Sequence, residues 1–281
     1  VWRGKRCKET GAAGTDKDAH SSGAQGPGSG AAHDGGEASS VIHYHGTPVG
    51  GRRQDAAQFL LGRHALVPFS YPEDIAVVAE ACQSFILDNG AFTAWTQGRS
   101  VDFDAYLNWV REWRRHPGFD FALMPDVIDG DESQNDALLE EWPVDWAGVP
   151  VWHLHESLDR LARLSVEYKT VAIGSSGQWR TPGTAAWWVR MNAAMSAVCD
   201  DGRPRCKLHG LRMLDPDIFS RLPLASADST NASVNSGSLG RFGTYLPPTA
   251  AQRAAVIAAR IESVNSAPFF TPVIQGELCL L

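Results

Sequence analysis

What most constrains this chain is a repeated alternation of short apolar runs with longer amphipathic ones, the signature of βαβ units and a parallel sheet. The runs that read as strands are VIHYH (41–45), HALVPF (64–69), SFILDN (84–89), FDFALMPD (119–126), VPVWHLH (149–155), TVAIGSS (170–176), CKLHGLRM (206–213) and LASADST (224–230). The stretches between them predict helices near 53–61, 72–82, 102–115, 131–141, 157–167, 183–197, 215–220 and 248–264. Eight such units predict an α/β fold of the TIM (β/α)8 barrel type. At 281 residues and 43% hydrophobic, the chain is large enough to bury one core of that size.

The pattern occupies residues 40–267. Residues 1–39 are rich in Gly, Ala and Ser with no period that buries a face, and are expected to be a disordered extension kept out of fold reasoning. Residues 268–281 form a tail without a readable pattern. No run of eighteen apolar residues occurs and the first thirty residues lack a secretory core, so a cytoplasmic protein with no membrane partner is expected. Cys7, Cys82, Cys199, Cys206 and Cys279 are too scattered for a CxxC zinc site and read as reduced thiols. The net charge of −7 argues against gripping nucleic acid by bulk electrostatics alone.

In a barrel, active sites gather at the carboxyl ends of the strands. His45, Asp88, Asp126, His155, Ser175, His209 and Asp228 all fall at or near predicted strand ends. Pairs spaced i, i+2 recur as His43/His45, His153/His155 and Lys207/His209, and strand alternation puts the members of each pair on one side. Asp88, Asp126 and Asp228 each close an apolar run and precede a loop. Carboxylates in such places are costly without a partner or a task, and two of them facing one sugar divide the work of a retaining glycosidic exchange.

These segments carry a resemblance. LDNGAFTAW resembles the DSGGF-type motif of the tRNA-guanine transglycosylase superfamily, and ASADSTNAS is similar to its nucleophile segment. KLHGLRMLDPDIF resembles the segment leading into the last strand, and VAIGSSG the glycine-bearing strand end that reads the base. Over His43 to about Ala267 the chain is most similar to the DpdA-like 7-deazaguanine DNA transglycosylases of phages and mobile elements. The resemblance implies exchange of guanine in DNA for a 7-deazaguanine such as preQ0, without a cofactor. It casts Asp228 as the nucleophile at C1′ and Asp88 as general acid/base. Asp126, Gly174 and Ser175 would bind the base, Phe92 and His209 would sandwich it, and His155 would read its carbonyl. The tRNA enzymes carry a Cys/Cys/Cys/His zinc site and an RNA-binding extension that this sequence does not show, which directs the resemblance to its DNA branch. The expected partners are DNA, a free 7-deazapurine and an accessory protein that helps hold the DNA, with Arg180, Arg203, Arg205, Lys207, Arg212 and Arg241 as candidate basic contacts.

Other readings stay open. Asp88 also suits a turn at Asn89-Gly90, while Asp126 and Asp228 also suit helix caps. His43 and His153 suit satisfied positions in a core, and Trp95, Trp152, Trp187 and Trp188 suit packing. His43, His45, His155, His209 and Asp228 can be written as the metal set of an amidohydrolase-like barrel. A barrel that binds a base without turning it over is a third class.

Overall fold

A computed structural model describes residues 40–50 and 52–273. The expected disorder of residues 1–39 therefore lies outside the described residues, as do positions 274–281. Among the described residues the strands are β1 (Ile42–Gly46), β2 (His64–Pro68), β3 (Ser84–Asp88), β4 (Phe119–Leu123), β5 (Gly148–Val149 and Val151–His153), β6 (Thr170–Gly174), β7 (Lys207–Gly210) and β8 (Ser226–Ser229). Every neighbouring pair in this sheet is parallel, and β1 pairs with β8 through Tyr44↔Asp228 and its flanking residues.

The ring closes through β5. Its first half pairs with β4 and its second half with β6, and the two halves are separated only by Pro150, which has no N–H to give to a ladder. On either side the backbone stays bonded: Met124 N–H donates to the Val149 carbonyl, and Ala172 N–H to that of Pro150. The predicted (β/α)8 barrel is the observed fold.

The helices that follow are α1 (Arg53–Leu60), α2 (Ile75–Ala81), α3 (Phe103–Trp113), α4 (Glu132–Glu140), α5 (Leu158–Glu167), α6 (Ala185–Val198), α7 (Pro216–Phe219) and α8 (Ala250–Glu262). Several start where the sequence supplies a cap. Asp131 with Gln134 and Thr249 with Gln252 form capping boxes, and Ser157 and Thr184 accept from the first turns of α5 and α6. Two short helices, Ala91–Thr96 and Asn231–Asn235, and a small hairpin pairing Cys199–Asp200 with Arg203–Pro204 were not predicted.

Strand alternation divides the core in two. One face of the strands packs against the helices, where Phe59, Leu87, Tyr106, Trp152, Trp187 and Trp188 are all buried. The other face fills the barrel with Tyr44, Leu66, Ile86 and Phe121 in one cluster and Leu123, Val149, Val151 and Ala172 in another. Trp187 and Trp188 thus serve packing, as their helical spacing allowed. Residues 268–273 are part of the same unit. Phe270 N–H donates to the Gly202 carbonyl, and Val273 exchanges two hydrogen bonds with the Asn192 side chain on α6.

Candidate active site

A cavity of about 490 Å³ opens at the carboxyl end of the barrel. Asp88, Asp126 and Asp228 all line it, from the ends of β3, β4 and β8, and so do Phe92, Gly174 and Ser175. Six of the eight residues expected at the site are therefore brought together.

The turn after β3 shows how local sequence builds this floor. Asp88 is followed by Asn89 and by Gly90, whose φ of 78° lies in the left-handed region that glycine takes without steric cost. That reversal starts the helix Ala91–Thr96 and sets Phe92 over the cavity. Asn89 is buried and fastens the turn to the next strand: its Oδ1 accepts from Ala91 N–H at 2.8 Å, and its Nδ2 donates to the Met124 carbonyl at 2.8 Å and to Asp126 Oδ1 at 2.6 Å.

The three carboxylates have different surroundings. Asp126 holds Asn89 on one oxygen and His153 Nε2 on the other at 2.7 Å. Asp228 Oδ2 accepts from the backbone N–H of Arg212 at 3.1 Å and lies 3.3 Å from His209 Nε2. Among the described residues its Oδ1 accepts no hydrogen bond. Asp88 accepts only from backbone N–H groups of its own turn, Gly90 at 3.3 Å to Oδ2 and Asn89. Burial, followed by the negative charges of Asp228 and then Asp126, pushes the Asp88 carboxyl up to about 7. Such a group exists in both protonation states near neutral pH, which suits it to give and take a proton.

The histidines are not placed as expected. His153 points into the cavity and braces Asp126, whereas His155 lies past the strand end and turns away. Both rings stack at 5.8 Å, but His155 is held by Ser176 Oγ at 2.7 Å and the Gly130 carbonyl at 3.0 Å, so it does not reach the cavity. His209 is fully buried one layer lower. It bonds Ser226 Oγ at 2.8 Å and packs edgewise on Tyr44 and Phe121, which leaves it no face for a bound base. His43 and His45 face out of the barrel toward α8, bonded to the Val264 carbonyl at 3.1 Å and to Glu262 at 2.8 Å. The five residues of the metal reading thus do not converge, and no group of three His, Cys, Asp or Glu able to hold a metal occurs among the described residues.

Gly174 and Ser175 have structural duties as well. A methyl on Gly174 would sit 2.8 Å from His153 Nδ1, so glycine there makes room for the imidazole. The Ser175 hydroxyl accepts from the Trp187 indole at 2.9 Å.

Sequence reasoning left His153 as a core residue and named Arg212 only as one of several basic contacts. Arg212 lines the cavity with its guanidinium 4.0 Å over the Phe92 ring, from a backbone with φ of 58°. No sequence signal marks that conformation in a non-glycine residue.

The fold and this site define a (β/α)8 barrel with three carboxylates around one cavity at the carboxyl end of its strands. No protein-family model matches the chain, and no curated protein is significantly similar to it. Among solved structures it is similar to tryptophan synthase alpha-subunits from the hyperthermophile Pyrococcus furiosus. Two mutant forms share 14% and 13% identity, cover 80% of this chain and 98% and 96% of their own, and give TM-scores of 0.49 and 0.48. A form studied for entropic stabilisation shares 14% identity over 80% of this chain and 97% of its own, at a TM-score of 0.46. With scores below 0.5, the barrel assignment rests on the strand order and register given above.

Proposed function

We propose that this barrel is a base-exchange transglycosylase that replaces guanine in DNA with a 7-deazaguanine through a covalent aspartyl-sugar intermediate. The observation that carries the reading is the division of environments among Asp88, Asp126 and Asp228 around a single cavity. In the first half-reaction Asp228 Oδ1 attacks C1′, the bond from C1′ to the purine nitrogen breaks with its electron pair going to the base, and Asp88 gives that base its proton. In the second, Asp88 takes the proton from the incoming 7-deazaguanine, whose nitrogen attacks C1′ and releases Asp228. Microscopic reversal of one step by the other explains why one carboxyl titrating near neutrality serves both.

Asp126, fixed by Asn89 and His153, offers its remaining lone pairs to the base's N–H groups. Phe92 supplies an apolar face for the purine ring. His155, half-buried and turned away, and His209, buried beneath the cavity, drop out of the binding set, and His153 takes the position by the base.

The test is incubation of the protein with duplex or single-stranded DNA and radiolabelled guanine, reading label retained in the polymer. Incorporation that disappears in Asp228→Asn supports the reading. Absence of incorporation with DNA, with tRNA and with added partner proteins defeats it.

A further inference from the structure

We propose that Arg212 is an anion anchor that holds a phosphate of the ligand seated in the cavity. Of the basic residues named from the sequence, it alone faces this site among those whose side chains are described. Lys207 lines a separate cavity at the opposite end of the barrel, Arg203 packs over Phe269, and Arg205 is engaged by Asp200 and the Ala197 carbonyl. Arg180 is exposed and does not line the cavity.

The placement of Arg212 is specific. The loop that carries it is stapled on both sides, by Leu211 N–H to the Ile173 carbonyl and by Leu214 N–H to the Asp228 carbonyl. Its own backbone N–H is spent on Asp228 Oδ2. Its φ of 58° lies in the left-handed region that residues with a side chain seldom take, and such strain persists where the surroundings impose it.

The guanidinium is stacked on Phe92, a contact that uses its face and leaves its N–H edges open. Among the described residues it makes no hydrogen bond and no ion pair. A planar fork of free donors, fixed by stacking at a solvent-facing mouth, matches the oxygens of a phosphate in geometry and charge. Because the same residue's N–H holds the carboxylate beneath, the anion and Asp228 are set in one frame.

The inference deepens the base-exchange reading by naming the phosphate-bearing form of the substrate, yet its geometry does not depend on catalysis. The phosphate comes either from a monoester or from the diester of a polynucleotide. Binding of deoxyguanosine, deoxyguanosine 5′-monophosphate and a short single-stranded oligodeoxynucleotide is measured by calorimetry at low and moderate salt, alongside the label-incorporation assay. In the unaltered protein one or both phosphate-bearing ligands bind about 10- to 100-fold tighter than the nucleoside. Preference for the monophosphate alone identifies a monoester, and preference for the oligonucleotide a diester. Arg212→Gln abolishes the preference, while Arg212→Lys retains part of it, with thermal denaturation confirming that each variant is folded. The proposal is overturned by no phosphate preference in the unaltered protein, or by a preference that survives Arg212→Gln. Label incorporation that fails while the Arg212-dependent preference persists defeats only the exchange reading. Incorporation that persists without the preference defeats only the anchor.

Discussion

Asp88→Asn tests the electrostatics of the site without any assumption about substrate. The Asp88 carboxyl titrates at about 7 in the folded protein against an ordinary 3.8, because burial and the charges of Asp228 and Asp126 oppose its ionisation. The folded state therefore binds more protons than the unfolded state between those values, so stability falls as pH rises from about 4 to about 7 and is then constant as far as this group is concerned. A gap of about 3 pH units at about 1.4 kcal/mol each makes the full loss about 4 kcal/mol. Asparagine stays neutral in both states and removes it. Urea denaturation is expected to show the variant and the parent nearly equal at pH 4, with the variant more stable by about 2–4 kcal/mol at pH 8, or roughly 10 °C in Tm. Under the proposed mechanism the gain would accompany loss of the group that moves the proton, the usual opposition of stability and activity at a site. A variant that is less stable at pH 8, or whose advantage is the same at both pH values, would refute the argument that burial and its neighbours' charges oppose ionisation of Asp88.

Two further substitutions probe the frame around the site. Glu262, on α8, is drawn down to about 2 by its hydrogen bond to His45, with the charge of Arg63 adding to the effect. Its contribution is present above its ordinary 4.5 and lost as pH falls toward 2. Discounted for partial exposure, Glu262→Gln should cost about 1–3 kcal/mol at pH 7 and progressively less below pH 4, measured by urea unfolding. Gly174→Ala places a methyl 2.8 Å from His153 Nδ1. It should destabilise by about 1–3 kcal/mol and displace the imidazole from Asp126, seen as a shifted His153 proton resonance; an unchanged resonance would show that the ring does not depend on glycine.

The strands were legible because each is buried on both faces, so it reads as a short apolar run, and because the polar residue that ends it sits where helices no longer cover the backbone. Asp88, Asp126 and Asp228 were found by that rule. The histidine pairs show its limit. Alternation says that His43 and His45 share a side, but the side depends on the register with β2 and β8, and it proved to be the outer one, facing α8. For His153 and His155 the alternation itself stops, since β5 ends at His153 and the next residues turn. His209 lies one layer beneath the mouth because β7 ends a residue later at Gly210. Arg212 was seen only as one of several positive charges, since its position comes from backbone bonds of Leu211, Leu214 and its own N–H to other strands.

The three carboxylates differ in which groups donate to them. Burial, with the charges of Asp228 and Asp126 beside it, raises the Asp88 carboxyl, and the hydrogen bonds it accepts from Gly90 and Asn89 offset only part of that rise. Asp126 has two short donors, from Asn89 and His153, and Asp228 has the Arg212 N–H with the His209 ring alongside. Asp88 has only the backbone N–H groups of Gly90 and Asn89. The tight Asp-Asn-Gly turn produces this inequality directly. It turns the Asn89 side-chain amide toward Asp126, so that Asp88 is left with the backbone donors of the turn alone. Under the proposed mechanism this three-residue turn, written in the sequence, places at the cavity a carboxyl able to move a proton near neutral pH.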